Sequence, residues 1–262
     1  MSDDFAPALA LRSFEYWVFQ YKRTWRGSVV STVLFPVLFL ASMGVGLGTL
    51  VDSSASGGVE GHSYLVFLAP GLLAATAMQT GVGESTYPVM GAIKWIKTYH
   101  AMLATPLGVI DVLVGHLLYI AARLLFGSVV FLAVMAAFGA VDGPLGLLTL
   151  PAAVLTGLAF AAPVVAYAAV VENDSGFAVL MRFVITPLFL FGGVFYPVSQ
   201  LPVLLEQLAY LTPLWHGVAL SRGLALGTES AGAALGHAVY LCAWIAGGFW
   251  FAARNYRRRL AV

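Results

Sequence analysis

The chain has 262 residues, of which 60% are hydrophobic and only 10% charged, and its mean hydropathy is +0.90. Thirteen Lys and Arg against twelve Asp and Glu leave a net charge of +1, which excludes the basic footprint of a nucleic-acid binder. The single cysteine, Cys242, can form no intrachain disulfide, and no Cys or His set has metal-ligand spacing.

The first element in chain order is a stripe. Leu11, Phe14, Val18, Tyr21 and Trp25 recur at spacings of three and four, with Arg12, Glu15, Lys22 and Arg23 off the stripe. This predicts an amphipathic helix within residues 1–28, lying in the membrane interface with its aromatics at headgroup depth. A soluble helix packed on a partner has the same pattern. These residues lack the short basic stretch and apolar core of a cleaved signal, so the first crossing helix is expected to serve as its own insertion signal.

Six apolar runs follow, at Val29–Leu50, Tyr64–Val82, Val112–Phe138, Leu145–Val171, Phe177–Phe195 and Gly236–Ala253. A hydrocarbon core of about 30 Å needs about 20 apolar residues in a helix, so each run reads as a crossing. The expected fold is an all-α membrane protein: a single domain over 1–262, with an interface segment (1–28), a six-helix membrane part (29–253) and a basic tail (254–262).

Orientation follows from Lys and Arg, because juxtamembrane cations in short loops are retained in the cytoplasm. Arg12, Lys22, Arg23, Arg26, Lys94, Lys97, Arg254, Arg257, Arg258 and Arg259 share one face, and Arg222 is opposite. Both termini are therefore expected in the cytoplasm, with Val51–His62, Ala140–Pro144 and Tyr196–Leu235 outside. The basic tail is expected on anionic lipid headgroups.

Between the second and third runs, Pro88 and Pro106 bracket one helix length. Ile93, Ile96, Met102 and Leu103, with Trp95, Tyr99 and His100, predict a short aromatic helix suited to docking. A connecting loop on lipid headgroups fits the same residues. After the fifth run, Leu201, Leu204, Leu205, Leu208 and Leu211 form an amphipathic stripe that Thr212-Pro213 ends. Leu214–Leu226, thirteen residues or about 20 Å, is too short to cross. The pair is expected to form a helical hairpin dipping into the outer leaflet, with Gly192, Gly193 and Pro197 bending the chain.

Arg123, Arg182 and Glu84 are the charged candidates for a translocation path or for pairing within the membrane. Arg123 falls about 16 Å into its run, where a cation costs about 2.5–3.5 kcal/mol. It needs a partner or water, unless the helix begins below the membrane and the side chain snorkels to the interface. Arg182, about 8 Å into its run, is expected to snorkel or to pair with Glu172 or Asp174.

The chain has no G-x-x-x-x-G-K-[ST] phosphate loop, no H-E-x-x-H and no G-x-S-x-G. Energy for uphill transport must come from an ion gradient or a separate ATPase. The carboxylates Asp52, Glu60, Glu84, Asp111, Asp142, Glu172, Asp174, Glu206 and Glu229 all read as lying at helix ends or in loops, which disfavours ion coupling. Ser175 and His237 are expected at opposite membrane surfaces, about 30 Å apart, which argues against an intramembrane Ser–His dyad.

The outer motif Tyr196-Pro197-Val-Ser-Gln-Leu-Pro202…Leu208-Ala-Tyr-Leu-Thr-Pro213-Leu…Ser221-Arg222-Gly223, together with Ala101-Met-Leu-Ala-Thr-Pro-Leu107 before the third helix, resembles the ABC-2 type permeases. The likeness is greatest to the exporters of nodulation factors, daunorubicin-type drugs and polysaccharides. The resemblance implies a non-catalytic permease of an exporter in the cytoplasmic membrane, acting on an amphipathic, lipid-linked or drug-like substrate. It implies a second permease, identical or sister, and two separate ATPase subunits that carry ATP and Mg²⁺, while this chain holds no cofactor. Ile93, Lys94, Trp95, Ile96, Lys97, Tyr99, His100 and Leu103 would form the coupling helix, with Leu11–Trp25 as the interface helix beside it. Lys94 and Lys97 stand where many relatives carry an Arg/Glu-rich run, and Arg123 matches no family role.

Overall fold

A computed structural model describes residues 6–54, 58–141 and 143–260; Asp142 lies outside the described residues. Among the described residues, five helices are long and apolar enough to cross a membrane: α1 (Pro7–Asp52), α2 (Tyr64–Trp95), α4 (Val109–Ala137), α5 (Pro144–Ala168) and α9 (Ala231–Leu260). Between them lie the short α3 (Thr98–Leu103), the apolar α6 (Ser175–Phe191) and the pair α7 (Val203–Tyr210) and α8 (Pro213–Leu226). Among the described residues no strand forms beyond one bridge between Val59 and His62. The chain is an all-α membrane protein.

The five long helices coincide with five of the six apolar runs, and the sixth run is α6. It has 17 residues, about 26 Å of α-helix, and a π-helical stretch at Met181–Ile185 interrupts it.

The boundary expected near residue 28 does not form. Charged residues give way to apolar ones there, but nothing in 7–35 breaks a helix, so α1 continues to Pro36 and through a π-helical stretch at Leu40–Leu47. Its packed face is also turned from the expected stripe. Ala10, Ser13 and Trp17 are buried and Phe14, Val18 and Tyr21 partly so, whereas Leu11 and Trp25 are exposed. This face lies along α4, where a Cβ on Gly115 would stand 2.4 Å from the Ser13 Cβ, so only glycine allows the approach.

The centre of the bundle is α2, flanked by α4, α5 and α8. Small residues bring backbones together, as in membrane helix packing generally. A Cβ on Gly81 would sit 2.3 Å from the Gly157 carbonyl oxygen, and one on Gly217 would sit 2.2 Å from the Thr156 hydroxyl. By contrast, Val30, Val33, Leu34 and Leu38 on α1, Phe183 on α6, and Leu235, Val239, Trp250 and Phe251 on α9 are exposed. That much outward apolar surface fits hydrocarbon, not water.

Two ends can be told apart by their contacts. One, the base, gathers Trp17, the α2–α3 junction, the α5–α6 connection and the end of α9. The other gathers α7, α8 and the start of α9.

Candidate functional site

The segment expected to be one helix over 88–106 is instead bent. α2 continues through a π-helical stretch at Gly91–Trp95, then Lys97 takes a left-handed conformation (φ 58°) and α3 sets off in a new direction. The bend divides the expected docking residues. Trp95 is 59% and Ile96 75% exposed, and Lys97 is exposed beside them. Ile93 and Tyr99 are buried and so present no contact surface; Lys94, His100 and Leu103 are half-buried.

Tyr99 belongs to a buried aromatic node. Its hydroxyl bonds the His116 Nδ1, His116 stacks on Trp17 at 4.1 Å between centroids, and the Tyr256 hydroxyl lies 3.4 Å from that of Tyr99. Burial, reinforced by Tyr256, raises the Tyr99 phenol well above its ordinary range. The node joins α1, α3, α4 and α9 under the bend.

On the other side of the bend, Lys94 Nζ donates to a Glu172 carboxylate oxygen at 2.9 Å, and Arg259 Nη1 reaches its second oxygen at 3.1 Å. Hydrogen bonds from Lys94 and then Arg259 hold the Glu172 carboxyl below its ordinary 4.5. Glu172 is one of the two carboxylates, with Asp174, expected as an alternative to snorkelling for Arg182. Arg182 instead points outward from α6, with no ion pair among the described residues.

Deeper in the bundle, Arg123 does not stand alone. It sits fourteen residues from Val109, about 21 Å along α4. Its Nε donates to Glu84 Oε1 at 3.1 Å, its Nη2 to Ser28 Oγ at 2.7 Å, and its guanidinium lies 4.2 Å from the centroid of Tyr21. Both charged side chains are largely buried, 14% and 21% exposed. As expected, Glu84 lies at a helix end: the α-helical part of α2 stops at Ser85, and Thr86 (ψ −95°) interrupts it before the chain turns helical again at Tyr87. The pair lines a cavity of about 430 Å³ between α1, α2 and α4, whose wall combines Thr32, Thr76, Thr80 and Ser128 with Phe35 and Phe131.

At the opposite end, Gly193 (φ 82°) turns the chain out of α6, Pro197 precedes a short 3-10 turn, Pro202 starts α7 and Pro213 starts α8. The Thr212 hydroxyl caps α8 by accepting from Trp215 N–H at 3.3 Å. The leucine stripe faces outward, with Leu204, Leu208 and Leu211 exposed, while the Tyr210 hydroxyl donates to Glu206 at 2.8 Å. Arg222 points into the protein. It donates to the carbonyls of Phe67, Gly193 and Val194 at 3.1, 2.9 and 3.3 Å and lies over the Phe67 ring. Ser175 bonds Asn173 at the base and His237 meets His216 at the other end, so these two residues do not form a Ser–His dyad.

The family profile described as ABC-2 type transporter matches residues 9–226. This chain belongs to the ABC-2 type transporter family. The permease is 33% identical over 257 residues to nodulation protein J of Rhizobium leguminosarum bv. viciae, covering 97% of each chain. It is 32% identical over 267 residues to nodulation protein J of R. leguminosarum bv. trifolii, covering 99% of each. It is 24% identical over 197 residues to the inner membrane transport permease YadH of Escherichia coli, covering 75% of each. The family supplies membrane subunits of transporters, which partner with an ATPase subunit.

Sequence reasoning missed two groups of residues in this permease. The double engagement of Glu172 had one signal, a carboxylate between two basic segments. The Trp17–His116–Tyr99–Tyr256 node had none, because its members are far apart in sequence.

Proposed function

We propose that this permease is the membrane half of an ATP-driven exporter in the cytoplasmic membrane, with both termini in the cytoplasm and six crossings, α6 being the fifth. The observation that carries the reading is the bend at Lys97: two large apolar side chains, Trp95 and Ile96, are exposed on a base held rigid from both sides. Exposed aromatic and aliphatic anchors beside a cation are what a protein groove recognises. The occupant is a separate ATPase subunit, which carries ATP and Mg²⁺; this chain binds no cofactor. A second permease completes the path, and two ATPases serve the pair. The cargo is amphipathic, lipid-linked or drug-like, and the cavity at Glu84 and Arg123, part polar and part aromatic, suits such a molecule.

Co-purification tests this. The Trp95→Ala/Ile96→Asp variant should fold and insert but lose the ATPase, and unchanged complex formation would remove the proposed contact. A second reading, a carrier driven by protons or sodium, draws on Glu84 lying inside a cavity within the bundle. Purified permease in liposomes distinguishes the two. Transport without ATPase and ATP supports the carrier, and transport only with both supports the exporter.

A further inference from the structure

Helix α9 runs unbroken for 30 residues, about 45 Å. It is attached at both ends. At the base Arg259 shares Glu172 with Lys94, and Tyr256 meets Tyr99. These contacts bracket the Trp95–Lys97 bend on both sides. At the opposite end the Tyr240 hydroxyl donates to the Leu211 carbonyl at 2.6 Å, and His237 lies 2.8 Å from His216. Those contacts hold the junction between α7 and α8. Along its length α9 bears on α5, where a Cβ on Gly248 would meet the Pro163 nitrogen at 2.6 Å and Asn255 donates to the Ala166 carbonyl at 2.9 Å.

We propose that α9 is a strut that carries displacement of the Trp95–Lys97 bend to the α7–α8 hairpin, and that Glu172 is the positioning residue fastening the strut to the bend. The inference rests on the reading that an ATPase engages this bend. A continuous helix transmits movement of one end to the other as a rigid element, provided both ends are attached. The two attachments at the base differ in kind. The Tyr99–Tyr256 contact is buried, and the Tyr99 hydroxyl is held there by the His116 Nδ1 as well. The Glu172 contacts are at the surface, with its side chain 70% exposed; Lys94 Nζ also donates to the Glu172 backbone carbonyl, so it is Arg259 that the carboxylate can release and retake without opening the core. A shift of the bend is then passed on while Glu172 holds both cations and is lost while it holds one. Glu172 touches neither the cavity nor the exposed face of the bend, so its removal leaves the docking surface in place.

The test uses the full chain with its ATPase in proteoliposomes, in a Cys242→Ser background. Spin labels at the exposed positions Leu204 on α7 and Val179 on α6 report hairpin displacement. Wild type should show a nucleotide-dependent change in the label distance. Glu172→Lys, which opposes Lys94 and Arg259, should retain the ATPase and its basal hydrolysis but lose that change. Transport per ATP should fall roughly two- to thirtyfold, the range of measured coupling effects. The full reversal Glu172→Lys/Lys94→Glu/Arg259→Glu should restore both readouts, and the nucleotide-dependent label distance is the one a merely local structural role would not move. A Glu172→Lys hairpin that moves as in wild type, or a reversal that restores nothing, overturns the strut. Failure of the wild-type chain to retain an ATPase overturns the underlying reading, and is seen before any variant is made.

Discussion

Removing Glu84 should harm the protein more than removing Glu84 and Arg123 together. In Glu84→Ala the guanidinium keeps only the Ser28 hydroxyl at 2.7 Å and the face of Tyr21 at 4.2 Å. It stays largely buried, about 21 Å along α4, with no countercharge. Breaking a buried ion pair from one side costs about 3–5 kcal/mol. The adjoining cavity of about 430 Å³ has hydroxyl-bearing walls and admits water, so the lower end, about 3 kcal/mol, applies. Arg123→Leu, which strands the carboxylate, should cost about as much. The double variant loses the attraction but also the burden of burying two charges, and should cost only about 1 kcal/mol. Reversible unfolding in mixed micelles, followed by tryptophan fluorescence, gives the three values. A double variant destabilised by the sum of the two singles would show that Arg123 and Glu84 act independently and refute the pairing.

Three further outcomes follow from the packing and the polar contacts. Gly81→Ala should destabilise by about 2 kcal/mol because its Cβ meets a backbone oxygen at 2.3 Å, while Gly83→Ala, which has open space, should be neutral or stabilising by about 0.5 kcal/mol; the same unfolding assay compares them. Arg222→Gln loses three carbonyl contacts and should cost about 3 kcal/mol, read as faster protease cleavage near Gly193 in the intact protein. His216 donates from Nε2 to the Tyr210 carbonyl, and burial first, then His237, holds it below its ordinary 6.5. The unfolded chain therefore takes up this proton before the folded one. Stability should be flat above about pH 6.5 and fall as the pH is lowered from there toward the folded value, and His216→Phe should make that slope shallower.

The long helices were legible because length and hydropathy suffice to mark them. Their faces were not, since nearly every position is apolar and no periodicity separates lipid from core. Lys97 illustrates a second limit. A non-glycine residue in the left-handed region carries no mark in the sequence, so 88–106 read as one helix and Tyr99 was placed on the same surface as Trp95. Glu84-Ser-Thr reads as a helix end, and the α-helix does stop at Ser85, but the interruption at Thr86 is a single residue and the carboxylate enters the bundle. The partner need of Arg123 was legible from its depth, and its choice of Glu84 was not. In the hairpin, proline and glycine spacing gave the turns, whereas the inward aim of Arg222 depends on three carbonyls that no side-chain pattern reveals.

The meeting of Gly81 and Gly157 also bears on how this polypeptide can drift over generations. On the outward sides of α1 and α9, one greasy residue can replace another with little consequence, so those positions are free to wander. Where the two glycines touch, bulk rather than polarity is under selection. A change to valine, innocuous by any hydropathy scale, would there be among the most damaging single substitutions the chain could suffer.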